Sequence, residues 1–384
     1  MISTMGKQVK TPRFYVDMPT FLHATGQLGW DDGAGGANLL YMNPSNPYIV
    51  NVEQSQSLTP FSIGHGNNNI SKTSFPINFC ALLNHNLGSN THEFKVVGKH
   101  NYPWQTNTAN SQEHLQPDTN GQILNANHSS QYLLPEYNGT TIFTFSDTDG
   151  VDEYWRSFSI FYDGDNYIDI GTHQLGSLVV GKYWDTPNSP DLELTMSRRF
   201  DGIKKQKTIG GKTLANIYYD GPTEWTMHNR YLAAAPSQVY KYPQFELDNP
   251  DAAVDGQGII GEHSFNKRAK SGLGRKGLRS WNLTFSYISE SNMWMDNEVS
   301  NTLTSDDVTP NDNIPNPMLA DESFNFVWNC TLGGTLPFIF QPDNSETGNN
   351  PDRFAICTFR NNTLNVRQVA YNTYSLSITI DEVA

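Results

Sequence analysis

The sequence predicts an all-β protein with one or two accessory helices, and three observations carry that expectation. Apolar and polar residues alternate at a period of two in several segments, which places the apolar set on one face of a pleated strand. Gly (30) and Pro (21), together with Asn runs such as Asn67-Asn68-Asn69, punctuate the chain at turn-like intervals. Stretches with the 3.6-residue spacing of an amphipathic helix are few.

The clearest alternation is Trp281, Leu283, Phe285 and Tyr287 interleaved with Asn282, Thr284 and Ser286. Tyr374, Leu376, Ile378 and Ile380 alternate likewise with Ser375, Ser377 and Thr379. Each reads as a half-buried antiparallel strand. Further strands are expected at Ile77–Leu83, Glu93–Val97, Thr140–Phe145, Ser157–Tyr162, Tyr167–Ile170, Ser177–Val180, Leu192–Met196, Phe338–Phe340, Phe354–Phe359 and Leu364–Ala370. Short strands at this spacing favour sandwiches or barrels. A helix is expected over Pro317–Asn329, where Leu319, Phe324 and Trp328 share a face and Gly333-Gly334 follows as a stop. Ser291–Val299 carries a weaker helical pattern.

A length of 384 residues predicts two or three domains. The two prolines of Thr186–Asp191 mark a boundary, giving two β-sandwich domains over 46–190 and 191–384. Residues 1–45 read as an extended N-terminal arm with a glycine hinge at Gly33–Gly36. Two long segments interrupt the halves: the polar Asn101–Asn138 and the loop 221–277, whose Tyr231, Tyr240, Tyr242 and Phe245 suit ordering against a partner.

Composition narrows the function. Charged residues are 17% and aromatic ones 12%, the opposite of a disordered chain. No apolar run approaches the ~20 residues of a membrane helix, so membrane insertion is not expected. The opening MISTMGKQVK lacks a basic-then-apolar leader, which predicts a soluble protein made without an export tag. A net charge of −14 argues against direct nucleic-acid binding. The basic residues are uneven: Arg198, Arg199, Lys204, Lys205, Lys207 and Lys212 fall in one stretch, and Lys267, Arg268, Lys270, Arg275, Lys276 and Arg279 in another. They read either as solvated strand edges or as an electropositive patch that meets an acidic face on a neighbouring copy. Arg198, Arg199, Lys204, Lys205, Tyr240, Tyr242, Lys267, Arg268, Arg275 and Lys276 are the candidate subunit-interface residues.

Cys80, Cys330 and Cys357 are widely spaced beside apolar neighbours and read as buried, reduced thiols. The ten His do not fall at zinc-ligand spacing, so no metal or other cofactor is expected. The acidic stretches Asp147–Glu153 and Asp163–Asn166 carry calcium-type ligands or are plain hairpin turns. No nucleophile elbow, P-loop, paired-histidine zinc motif or dinucleotide turn occurs, and the chain is read as no enzyme. Asn84, His85 and Asn86 end an apolar strand in a polar turn. They either present donors to a carbohydrate or satisfy their own turn.

The segments ALLNHNLG (Ala81–Gly88) and YIDIGTHQLG (Tyr167–Gly176) resemble a jelly-roll module of tailed-bacteriophage tail proteins. LTMSRRFDGIKKQKTIGG (Leu194–Gly211) and RSWNLTFSYIS (Arg279–Ser289) resemble strands of phage distal-tail or tail-tip proteins, as do LPFIFQPDNS, DRFAICTF and SLSITIDEV near the end. The resemblance implies a jelly-roll-like first sandwich, a tail-tube-like second one and a place in the virion, made and assembled in the host cytoplasm. It implies a ring subunit of the tail tip or baseplate, whose partners are other copies of itself and neighbouring tail proteins. The alternative is a receptor- or carbohydrate-binding tail module for host adsorption, with a host-surface glycan as partner.

Overall fold

The structure is a computed structural model. It describes residues 10–26, 36–44, 46–52, 61–63, 73–87, 94–99, 112–114, 122–124, 126–129, 132–135, 139–145, 154–155, 157–162, 171–192, 194–199, 203–217, 278–295, 314–315, 321–345 and 353–383. Strand takes 51% of them and helix 12%, in several antiparallel sheets, as the alternation and turn chemistry require.

The largest sheet has eight strands. Its order runs Tyr183–Asp185, Arg13–Tyr15, Phe338–Gln341, Ala355–Phe359, Thr373–Glu382, Leu278–Ser289 and Thr195–Arg199, with Val366–Ala370 also pairing to Thr373–Glu382. Every pairing in it is antiparallel. The alternation in the two longest strands does what a period of two demands. Trp281, Leu283 and Phe285 are buried opposite Ile380, Ile378 and Leu376, while Asn282 and Ser377 are exposed.

Residues 11–24, expected in an extended arm, form an interior strand and a helix instead. Arg13–Tyr15 hydrogen-bonds on both sides, to Tyr183–Asp185 and to Phe338–Gln341. Phe14 and Tyr15 are fully buried on opposite faces. Phe14 enters an aromatic cluster with Trp184, Phe338 and Phe340, its ring centroid 5.2 Å from that of Phe340. Arg13 adds a two-point ion pair to Asp185 at 2.6 and 2.7 Å and lies 3.8 Å over the Tyr183 ring. The helix Met18–Ala24 follows, with Asp17 at its N-cap and Pro19 in its first turn, where proline's missing N–H costs nothing.

A four-stranded sheet, in the order Ser177–Gly181, Phe79–His85, Gly139–Thr144 and Ile123–Leu124, is buried on both faces. Phe79, Ala81, Leu83, Ile142 and Val179 join Tyr15, Ile339 and Ile356 of the large sheet in one cluster. On the other face Cys80, Leu82, Phe143, Leu178 and Val180 belong to the main core. The run Ser177–Asp185 serves both sheets, switching at Lys182, whose carbonyl accepts the Val16 N–H at 3.0 Å. The large sheet therefore takes strands from both sides of the expected boundary at Thr186–Asp191. A buried polar relay ties the sheets further: Tyr15 donates to Gln341 at 2.6 Å, and Gln341 donates to Gln122 at 3.1 Å.

The remaining sheets are smaller. Six strands order as Phe61–Ile63, Ser157–Tyr162, Phe94–Lys99, Tyr132–Leu134 and Asn127–Ser129, with Gln112–His114 beside Phe94–Lys99. Thr73–Pro76 pairs with Tyr154–Trp155 and Ile314–Pro315, Gly171–Leu175 with Tyr48–Val52, and Ile203–Lys207 with Thr213–Ile217.

The expected Pro317–Asn329 helix is shorter and later, Phe324–Cys330. Ser323 is its extended N-cap residue, and Leu332 takes the left-handed conformation that ends the helix, its N–H bonding the Asn329 carbonyl and that of Gly333 the Trp328 carbonyl, before Gly333 and Gly334, also at positive φ. Of Ser291–Val299, a single turn over Glu290–Met293 is helical and residues 296–299 lie outside the described set. Cys80, Cys330 and Cys357 are buried free thiols, their pKa values pushed up by burial.

Candidate interaction surface

The turn that closes Phe79–His85 holds the residues considered for sugar binding. His85 is 1% exposed, with Nε2 2.8 Å from the Thr141 hydroxyl and Nδ1 accepting the Leu87 N–H at 3.2 Å. Burial pushes its pKa down to about 3, so the ring is neutral. Both ring nitrogens are engaged inside the protein, which removes His85 as a sugar contact. Asn84, at positive φ, donates its amide to the Pro44 carbonyl at 2.7 Å. The Asn86 side-chain oxygen accepts the Gln174 N–H at 2.8 Å. The three residues fasten the turn to Pro44 and to the strands of Thr141 and Gln174.

The basic candidates fall differently. Arg198 and Arg199 lie on Thr195–Arg199, the edge strand of the large sheet, and both are exposed. Arg198 faces Arg279 across the strands, an arrangement that like charges oppose. Arg279 is already neutralised by Glu382 at 2.9 Å, the two side chains being 11% and 8% exposed, and it also donates to the Phe354 carbonyl at 2.7 Å. Its guanidinium lies 5.2 Å from the Trp281 ring. Lys204 and Lys205 lie on Ile203–Lys207, one strand of a two-stranded hairpin, and are exposed. Tyr240, Tyr242, Lys267, Arg268, Arg275 and Lys276 lie outside the described residues, as do both acidic turns, Asp147–Glu153 and Asp163–Asn166.

The outward face of the large sheet is rich in hydroxyls and amides. Thr284 and Ser377 meet at 3.3 Å, and Thr379 donates to Asn282 at 3.4 Å. Arg360 donates to both Asp381 oxygens, at 2.8 and 2.6 Å, and to Ser280 at 2.9 Å. That hydrogen bonding holds the Asp381 carboxyl below the usual range. Large apolar side chains stand out at Leu192, Tyr287 and Tyr371. Among the described residues no group of three or more His, Cys, Asp or Glu side chains could hold a metal ion, and no helix is long and apolar enough to cross a membrane. The arrangement is a polar sheet face with a cationic edge strand.

No family model, curated protein or solved structure matches the chain.

The hairpin was the feature least marked by local pattern. IKKQK has no apolar alternation, and the signal that could have placed it is Gly210-Gly211, a turn dipeptide flanked by two five-residue stretches.

Proposed function

We propose that this chain is a structural subunit of a phage tail, a ring component of the tail tip or baseplate that acts by docking to copies of itself and to neighbouring tail proteins. The observation that carries the assembly reading is the exposed cationic edge strand and hairpin on a chain of net charge −14. A surface of one sign on a body of the other favours ordered, oriented self-association. Such contacts are heterologous, one face meeting a different face of the next copy and closing by rotation into a ring.

The place in a phage tail rests on the sequence resemblance of Leu194–Gly211 and Arg279–Ser289 to tail proteins. The cluster joining Tyr15, Ile339 and Ile356 to Phe79, Leu83 and Val179 supports facing-sheet packing, and the jelly-roll-like and tail-tube-like character of the two halves rests on the sequence resemblance. The glycan-binding alternative loses support with the burial of His85. Electron microscopy of the purified chain tests the proposal. Closed rings of three-fold or six-fold symmetry are expected, and isolated single chains at every concentration contradict it.

A further inference from the structure

We propose that the hairpin Ile203–Ile217 is a docking arm that seats on the acidic surface of a second copy of this chain. The inference rests on the subunit reading above and names its contact.

Among the described residues, the two strands of the hairpin pair only with each other. Ile203–Lys207 and Thr213–Ile217 pair in register from Ile203 opposite Ile217 to Lys207 opposite Thr213. The turn is closed by Thr208 N–H to the Lys212 carbonyl at 2.8 Å and Gly211 N–H to the Thr208 carbonyl at 2.9 Å. Gly211 sits at φ +81°, the left-handed position such a bulged turn needs. Among the described residues the outer edges of both strands carry no further backbone bonds. Every residue from 204 to 215 is exposed, including Ile209 at the tip and Leu214. A two-stranded ribbon with no core is marginal in water, so an arm of this kind gains its stability from what it lies against.

Charge identifies that surface. The stretch 195–217 carries six of the chain's 25 basic residues and one of its 39 acidic ones. The rest of the chain therefore holds 38 acidic residues against 19 basic. Strand alternation puts Lys205 and Lys207 on one face and Lys204 on the other, so both faces of the ribbon are cationic. The side chains of Lys204, Lys205, Lys207 and Lys212 have no partner among the described residues. A second copy presents such an acidic body as the docking face, and the complementarity of cationic arm to acidic body orients the contact.

The test is sedimentation of the full chain across a salt series, beside the triple variant Lys204→Glu/Lys205→Glu/Lys207→Glu, the tip variant Ile209→Asp and the control Lys10→Glu. The wild type and the control assemble and fall apart together as salt rises. The triple variant loses at least about tenfold in association, and Ile209→Asp weakens assembly at all salt concentrations. Circular dichroism checks folding, and Ile209→Asp with the salt series decides if the triple variant unfolds. Wild-type assembly matched by both arm variants overturns the docking arm and leaves the subunit reading standing. A wild-type chain that never assembles overturns both. Retention on heparin that depends on the lysines, with assembly unchanged, overturns the assignment to a second copy.

Discussion

Gly181 stands where two backbones approach closely, and its missing side chain is a packing requirement. A Cβ there would lie 2.1 Å from the Val16 carbonyl oxygen, between the strand Ser177–Gly181 and the chain entering the Met18–Ala24 helix. Gly181→Ala should cost about 3 kcal/mol by denaturant unfolding, since backbone has no rotamer through which to yield. A loss below about 1 kcal/mol would mean that the N-terminal segment is free to move aside. Asp17 and His85 supply a second test. Burial pushes Asp17 up to about 7 from 3.8, against the opposing hydrogen bonds from Thr20, and pushes His85 down to about 3 from 6.5. Between 3.8 and about 7 the folded state keeps a proton on Asp17 that the unfolded chain has lost, so this group's contribution falls as pH rises. Between about 3 and 6.5 the unfolded chain protonates its histidine while the folded one resists, so this contribution falls as pH drops. The slopes, each about 1.4 kcal/mol per pH unit, oppose one another. Wild-type stability should be nearly level from about pH 4 to 6.5, rising with pH in Asp17→Asn and falling with pH in His85→Gln. Urea midpoints measured across that range check it, and parallel profiles for all three chains would contradict it.

At the scale of elements, what could be read from sequence was whatever leaves a local pattern. The strand expected at Ser157–Tyr162 is found there, and the Trp281–Phe285 alternation lies inside the observed Leu278–Ser289. Boundaries shifted by one or two residues where the hydrophobic run and the hydrogen-bonded ladder end at different places, as at Phe79–His85. Long-range pairing leaves no such mark. Nothing in Arg13-Phe14-Tyr15 announces that it bridges Tyr183–Asp185 and Phe338–Gln341, and its polar, glycine-rich surroundings favoured an arm. The helix start was present as Asp17-Met18-Pro19, an N-cap followed by proline, but seven residues are too few to show a 3.6-residue period. Likewise Asn84-His85-Asn86 has the composition of a binding turn, and only the fold shows that its side chains are consumed internally. Because the N-terminal strand is interior to the large sheet, Phe14→Ala should cost about 3–5 kcal/mol. Deleting residues 1–17 should abolish cooperative unfolding of the whole chain. Calorimetry of the truncated protein decides: an unchanged transition would return this segment to the status of a dispensable arm.

For the whole molecule, the β class follows from composition and period, whereas the proposed role rests on how charge is distributed along the chain. The core is uncharged at its centre, with Phe14, Phe79, Phe143, Trp281 and Phe338 fully buried. Six of the 25 basic residues fall on one edge strand and one exposed hairpin, against a single acidic residue in the stretch 195–217. The proposed role rests on contact between the cationic arm of one copy and the acidic remainder of the next. The most direct test is the native mass of the full chain, by sedimentation and electron microscopy at moderate salt. The account predicts a closed ring of identical subunits whose mass is a fixed multiple of one chain, dissociating as ionic strength rises. A single-chain mass at every concentration and salt level would contradict it.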